Sequence, residues 1–267
     1  MADQRIIKYC GEGKDANLIL SPLSGMWSNC PSVTAQPNLS AYEMFDDFVA
    51  FPVGDATSKW TLDATNGTAV LGTADVNGLG GVVVLNTSGT LAEDFAQIKV
   101  TSTDTGAPFM IVSNSGKKLW FEARVYVTSV TDDSIYVGLF NDAATEVGTD
   151  DTGAAHATTL IDGVYFRTKN ATPTVINWAV AKTNTETAVL VAAGTLAATT
   201  WIRLGFYFDG VTSVVPYING TAVSGVASTD ITNFPDTVGL TPLIYIKEGA
   251  ASAKALWCDY IRVVQER

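Results

Sequence analysis

Four aromatic side chains at alternating positions of two strand-like segments are the residues best suited to bind a ligand. Trp120 and Tyr126 lie in the segment LWFEARVYV, and Trp201 and Tyr207 lie in WIRLGFYF. Side chains alternate between the two faces of a strand, so these four point away from the face that carries Leu, Phe and Val. Rings that share an exposed face can stack on sugars. We name these four as candidate carbohydrate-binding residues; the alternative is that they pack under loops or against the N-terminal segment.

The carboxylates do not form the paired arrangement that glycoside hydrolysis needs. That reaction uses one carboxyl group to protonate the leaving oxygen and a second as nucleophile or base. The sequence contains no strand of the Glu-x-Asp-x-x-Glu type. Glu122 shares the outward face of its strand with Arg124, which predicts an ion pair between them. We therefore expect a protein that is not an enzyme, with no catalytic residues.

Histidine and cysteine give no nucleophilic site either. The single histidine, His156, lies in a small-residue loop, and no Gly-x-Ser-x-Gly elbow supplies a nucleophile. Cys258 alternates with Trp257 in a strand-like segment, which predicts a buried and unreactive thiol. Cys10, Cys30 and Cys258 contain no CxxC pair, so reduced thiols are expected; a Cys10–Cys30 bridge is the alternative if the protein leaves the cell.

The composition excludes several partners. A net charge of −11 at pH 7 argues against nucleic acid, whose phosphates attract clustered Lys and Arg. No phosphate-binding loop is present, and no apolar run reaches the length of a membrane span. The chain is expected to be made in the cytoplasm and to bind no membrane. Only 16% of its residues are charged, which suits surfaces that pack against neighbouring copies.

The elements that position these residues are short strands. Residues 1–42 contain three prolines and no sustained periodicity, so they are predicted to form an extended arm, which lies on its own domain or on a neighbouring subunit. Residues 43–267 alternate Val, Ile, Thr and aromatic runs with Gly, Asn and Asp, which is typical of one antiparallel sandwich. Asn219-Gly220 predicts a tight two-residue hairpin turn.

The alternation also predicts which residues form the core. The inward residues of the two aromatic segments are Leu119, Phe121, Ala123, Val125, Val127, Ile202, Leu204, Phe206 and Phe208. Further strands are predicted at 68–72, 81–85, 96–100, 109–112, 135–140, 163–167, 175–182, 187–191, 243–247 and 256–264. The Ala-rich stretches 143–157 and 192–200 are predicted to be loops. A dozen or so strands favour two packed sheets, as in a large jelly roll.

Three segments together resemble a known fold family. They are Phe45-Asp46-Asp47-Phe48, LWFEARV at 119–125 and LWCDYIRV at 256–263. They are similar to the concanavalin-A-like (laminin-G-like) jelly roll, over residues 43–265. The similarity is greatest to the version in tailed-phage virion proteins, because LWFEARV, DGVYFR at 162–167 and WIRLGFYFDG at 201–210 follow in that order. These motifs are mostly core and turn residues.

The resemblance implies an all-β, two-sheet antiparallel sandwich and a structural role in a virion. The expected function is a capsid decoration protein on the outer head surface, whose partners are the major capsid protein and copies of itself. A carbohydrate-binding or receptor-binding tail component, with surface glycans as partners, is the alternative, and a glycoside hydrolase is the weaker one. Laminin-G-like domains often hold one calcium ion, so calcium is the one cofactor the resemblance suggests. Its ligands remain unknown, although Asp46-Asp47, Asp132-Asp133, Asn141-Asp142 and Asp150-Asp151 are acidic turn-like pairs.

Overall fold

The computed structural model describes residues 25–31, 40–49, 59–72, 81–100, 107–141, 146–148, 162–183, 185–224 and 234–267. Within these ranges the chain forms fifteen strands and one short 3-10 helix, Gly25–Trp27. All strand pairs are antiparallel, and the strands form one eight-stranded and one seven-stranded sheet. The predicted all-β sandwich is therefore confirmed.

The eight-stranded sheet, called sheet A, contains the strands near both ends of the described chain. Its spatial order is β13 (Thr221–Ala222), β12 (Val214–Ile218), β11 (Ile202–Phe208), β6 (Leu119–Val127), β15 (Ala255–Glu266), β4 (Val83–Thr87) and β3 (Gly67–Leu71), with β1 (Ala41–Asp46) paired to β15. The seven-stranded sheet, called sheet B, has the order β10 (Thr185–Thr195), β9 (Thr172–Lys182), β8 (Gly163–Lys169), β7 (Asp133–Asn141), β14 (Leu240–Glu248), β5 (Phe95–Val100) and β2 (Trp60–Thr65).

The main core lies between the two sheets. All nine residues predicted to face inward from β6 and β11 are buried there. From sheet B, Val137, Phe166 and Trp178 meet them at the same alternating positions. One face of each strand therefore packs into this core, and the other face lies on the outside of the sandwich.

The Asn219-Gly220 turn is confirmed. Both residues have positive φ, 52° and 80°, and Ile218 pairs directly with Thr221. Asn219 tolerates this conformation because its short polar side chain bonds locally, and its Oδ1 accepts a hydrogen bond from the Arg203 backbone N–H at 2.9 Å.

Several boundaries differ from the prediction. Residues 109–112 do not form a strand; they contribute only an isolated bridge between Phe109 and Leu240. The predicted loop at 192–200 begins inside β10, which continues past irregular pairing and a positive φ at Ala192. The strands β1 and β2 were not predicted as such. Ala41 and Tyr42, placed in the arm by the sequence, already pair with the end of β15.

The described part of the arm packs on its own domain. Met26, Trp27 and Cys30 are buried against Trp120 and Val264 on the outer face of sheet A. The Arg262 guanidinium carbon lies 4.4 Å from the centre of the Trp27 ring, which adds a cation–π contact. For residues 25–31 the arm therefore covers its own domain; the remainder, including Cys10, lies outside the described residues.

Two smaller predictions concern Cys258 and membranes. Cys258 is fully buried in the core, and burial raises the pKa of its thiol well above the usual value, as expected for an unreactive cysteine. In the ranges that the structure describes, no helix has the length and apolar character required to cross a bilayer.

Candidate functional site

The outer face of sheet A carries all four predicted aromatic residues, but they differ in how far they are exposed. Trp120 and Tyr126 belong to β6, Tyr207 belongs to β11, and Trp201 immediately precedes β11. Trp120 is 0% exposed and Tyr126 5%, whereas Trp201 and Tyr207 are partly exposed. The strand register brings Tyr207 beside Trp120, and their ring centres lie 5.4 Å apart.

Trp120 lies beneath the N-terminal segment 25–31. Met26, Trp27 and Cys30 pack over it, and Tyr207 and Tyr217 border the same cluster. Gly205 permits this close approach, because a Cβ at that position would lie 2.9 Å from Cε of Met26. A sugar has no access to the Trp120 ring in this arrangement, which is the alternative that the sequence left open for these aromatic residues.

The other half of the outer face carries a continuous row of rings. The centre of the Tyr126 ring lies 5.3 Å from that of Trp201 and 5.6 Å from that of Trp257. Trp257 pairs in register with Val84, and Val84 pairs with Val70, which is 46% exposed. We call Trp201, Tyr126 and Trp257 the aromatic strip; it crosses the sheet perpendicular to the strands and extends into apolar residues of β4 and β3.

Charged groups next to the strip are paired with one another. Arg124 Nη1 donates to Asp259 Oδ2 at 2.5 Å, and its guanidinium carbon lies 4.5 Å from the centre of the Trp201 ring. Glu122 accepts a hydrogen bond of 2.6 Å from the Tyr260 hydroxyl. The predicted Glu122–Arg124 ion pair is wrong: each residue has a partner on β15, where an irregularity between Cys258 and Tyr260 brings Asp259 within reach of Arg124.

An apolar edge adjoins the strip. Phe45 is 52% exposed, and its ring lies 6.3 Å from that of Tyr260. Val49 is 72% exposed. Large exposed apolar areas on soluble proteins commonly mark interaction sites. The strip and this edge together form the candidate functional site.

The outer face of sheet B is aromatic and charged as well, but it is filled. Tyr136, Phe140, Tyr165 and Tyr245 form a second apolar cluster, into which Val147 packs from above. The Val147 N–H donates to Gln97 Oε1 at 3.2 Å, so the segment 146–148 is hydrogen-bonded onto the sheet. Tyr165 and Tyr245 are both fully buried.

Ion pairs close the same face. Arg167 pairs with Glu186, and each side chain is only 3% exposed. Lys247 pairs with Glu93 and, at 2.9 Å, with Glu146. The hydroxyls of Tyr165 and Tyr245 donate to Glu186 and Glu146. Burial raises the pKa of both tyrosines well above the usual value, so they remain protonated donors.

Asp46, in the first of the acidic pairs considered for calcium, has its oxygens occupied by donors of the protein. Asp46 accepts from the Phe48 N–H, the Trp60 indole N–H and Lys59. Among the residues with described positions, no group of three or more His, Cys, Asp or Glu side chains is arranged to hold a metal ion. Asp142, Asp150, Asp151 and His156 lie outside the described residues.

Trp257 is the site residue that the sequence reasoning missed. It was considered only as the neighbour of the buried Cys258. The available signal was its place in LWCDYIRV, because a strand with Leu and Cys facing the core must turn the intervening Trp to the opposite face. Its pairing with Tyr126 depends on the register of two strands that are 131 residues apart in sequence, and that register is visible only in the structure.

Neither the scan against protein-family models nor the search of curated proteins finds a match for this chain. Solved structures do match. A protein of unknown function from Shewanella oneidensis MR-1 is 14% identical, with a TM-score of 0.58 over 95% of this chain and 94% of that one. Peanut lectin is 10% identical, with a TM-score of 0.54 over 84% and 97% of the two chains. The carbohydrate recognition domain of Emp47p is 11% identical, with a TM-score of 0.52 over 83% and 94%.

The fold is a concanavalin-A-like, legume-lectin-like β-sandwich. At these identities the similarity shows the fold alone, because one fold carries many unrelated functions. Function must come from the two outer faces and their residues.

Proposed function

We propose that this chain is a non-enzymatic structural protein of a virion, which attaches through the outer face of sheet A. The contrast between its two faces carries the proposal. The outer face of sheet B is occupied by its own tyrosines, ion pairs and Val147. The outer face of sheet A presents partly exposed rings and apolar side chains instead.

The filled face supports a role without catalysis. Catalysis needs a reacting group that a substrate can reach, with polar partners arranged around it. Acidic and basic side chains on this outer face pair with one another, as in Arg167–Glu186 and Lys99–Asp63. Such pairs stabilise the fold, and few of their hydrogen-bonding positions remain for a substrate.

The open face supports attachment to a flat partner. The strip and the apolar edge can be buried without stranding a charge, because Arg124 and Glu122 already have partners. A protein surface with few charged residues, as on another copy of this chain, suits it. The virion setting follows from the resemblance of the 119–125, 162–167 and 201–210 motifs to tailed-phage virion proteins.

The copy number in purified particles tests this proposal. Particles from the phage that carries the gene are analysed by quantitative mass spectrometry, relative to the major shell protein. Hundreds of copies support decoration of the head. A handful of copies point to a tail component, and absence of the chain from the particles overturns the virion proposal.

A saccharide-binding role is the second candidate, and the aromatic strip specifically favours it. Two partly exposed rings, Trp201 and Trp257, flank the buried Tyr126 on this face, and Arg124 and Asp259 beside them supply hydrogen-bonding groups. Lectin-like proteins are among the structural relatives, and their recognition of glycans is compatible with such a face.

Glycan-array binding with matched variants tests this second candidate. Trp201→Ala and Trp257→Ala should each reduce binding about five- to tenfold, since stacking contributes ~1–1.5 kcal/mol per ring. Leu91→Ala is the control, because Leu91 is an exposed apolar residue outside the strip. Equal binding by all four proteins would exclude the strip as the sugar site.

A further inference from the structure

A group of buried acidic side chains lies at one end of the sandwich. Asp133 opens β7 and pairs directly with Glu248, which ends β14. Ile135 and Ile246, two positions along each strand, face the main core. By the two-residue alternation of strands, Asp133 and Glu248 also point into the space between the sheets, side by side.

Three of the four carboxylate oxygens of this pair lack a hydrogen-bond donor among the described residues. They are Oδ1 and Oδ2 of Asp133 and Oε1 of Glu248. The fourth, Oε2 of Glu248, accepts from the Thr87 hydroxyl of sheet A. Asp133 is 1% exposed and Glu248 0%, so bulk solvent does not reach these oxygens.

The charged groups that face the pair come from the neighbouring turns. Asp132 precedes Asp133 and is exposed, whereas Asp94, just before β5, is buried beside Glu248. Lys254, just before β15, supplies the positive charge nearest Asp133. The Lys254 Nζ lies 3.4 Å from Ser129 Oγ.

Asp94 is a nearby buried carboxylate whose oxygens do have hydrogen-bond donors, and it serves as a comparison for Asp133. Burial alone would raise its pKa, but donors from Ser88, Asn66, Leu91 and Thr90 hold that pKa at about 2. Asp133 has no comparable donors. Burial raises the pKa of Asp133 to about 7, against the opposing effect of Lys254, and burial also raises the pKa of Glu248.

We propose that Asp133 and Glu248 are two neighbouring proton-binding carboxyls, which secure this end of the sandwich in acid and weaken it above neutral pH. A carboxylate that is buried without donors is costly to ionise, so a proton on Asp133 satisfies an oxygen that otherwise has no donor, whereas the Glu248 carboxyl shares a hydrogen bond with Asp94. The pair links the turn before β7 to the end of β14, and through Thr87 it links sheet B to sheet A. This inference is independent of the proposed function.

The sign of the pH effect follows from the direction of the pKa. The folded protein binds the Asp133 proton more tightly than the unfolded chain does. The stability that this proton provides is therefore complete below the ordinary carboxyl range and is lost as the pH rises through about 7. Between these limits the folding equilibrium constant should fall by up to about tenfold per pH unit from this site.

The experiment is thermal unfolding of the full chain at about pH 5 and about pH 8. Asp133→Asn keeps the shape but removes the charge, so it should raise the Tm at the higher pH and reduce the difference between the two conditions. Asp132→Asn is the matched control: it makes the same charge change at an exposed neighbour whose positive φ of 52° asparagine tolerates. It should leave most of the difference intact.

Three results would overturn the proposal. One is a wild-type pH difference that Asp133→Asn leaves unchanged. Another is a Tm that this variant lowers equally at both pH values. In the third, calcium raises the Tm of the wild type at the higher pH but does not raise the Tm of Asp133→Asn. The pair would then be a cation site. If Asp133→Asn does not fold, Glu248→Gln is measured in its place, and the same three results apply to it.

Discussion

The outer faces of the two sheets contain the same kinds of residues, yet within the described part of the chain they differ in how far their rings are exposed. Sheet B has Tyr136, Tyr165 and Tyr245 with Arg167 and Lys247. Sheet A has Tyr126, Trp201 and Trp257 with Arg124 and Arg262. Among the described segments, 146–148 packs onto sheet B and 25–31 packs onto one half of sheet A.

The contrast shows that residues of the same type have different roles on the two outer faces. A tyrosine whose hydroxyl donates to a buried glutamate, as Tyr165 does to Glu186, stabilises the fold. A tryptophan with partial exposure beside a paired arginine, as Trp201 is beside Arg124, can exchange water for a partner. Composition and alternation identify both classes, but only packing distinguishes them.

The largest expected effect comes from breaking the buried pair on sheet B. Glu186→Gln leaves the Arg167 guanidinium buried without a counter-charge and weakens the acceptor of the Tyr165 hydroxyl. We expect the free energy of unfolding to fall by about 3–5 kcal/mol, measured by urea denaturation.

Glu43→Gln is the matched control for that prediction. Glu43 pairs with Arg262 on the outer face of sheet A, with 33% and 25% of the two side chains exposed. Its loss should cost no more than about 1 kcal/mol, because water screens the pair. Equal losses at Glu186 and Glu43 would mean that the two faces are equally solvated, contrary to the comparison.

The next largest effect separates the two halves of sheet A. Trp120→Ala removes a fully buried ring and should cost about 3–4 kcal/mol of unfolding free energy. Trp201→Ala removes a partly exposed ring and should cost about 1 kcal/mol, measured in the same urea titration. A larger loss at Trp201 than at Trp120 would contradict the assignment of Trp120 to the covered half of sheet A and of Trp201 to the other half.

A smaller effect tests the cover itself. Met26→Ala removes the buried methionine that packs on Gly205 and should cost about 2 kcal/mol. The segment 25–31 should also become more accessible to a protease, followed by mass spectrometry of the fragments. Val211→Ala, at a 47% exposed site elsewhere, should change neither the stability nor the cleavage. Unchanged cleavage of the Met26 variant would show that this contact does not hold the segment in place.

Much of the sandwich could be predicted because it depends on local pattern. The inward faces of β6 and β11 follow from strict alternation, and the hairpin turn follows from the conformational tolerance of Asn219 and Gly220. β2 was missed because Trp60–Thr65 is short: Thr61, Asp63 and Thr65 lie on one side, and the other side has only two large apolar residues, Trp60 and Leu62.

The state of the two faces could not be predicted because it depends on distant segments. The burial of Trp120 requires Met26 and Trp27 to fold back over β6, nearly a hundred residues later. The Arg167–Glu186 pair joins β8 to β10 across the intervening β9, so no local spacing signals it. The Arg124–Asp259 pair depends on an irregularity in β15 that alternation does not reveal.

Binding of the purified chain to particles assembled without it tests the central claim most directly. Wild type, the double variant Trp201→Ala with Trp257→Ala, and Tyr245→Phe on sheet B are compared by the number of copies retained per shell protein. We predict that the sheet A variant loses at least tenfold in affinity, and that Tyr245→Phe binds like wild type. Loss of binding by Tyr245→Phe, with full retention of the double variant, would contradict the assignment of the outer face of sheet A as the attachment surface.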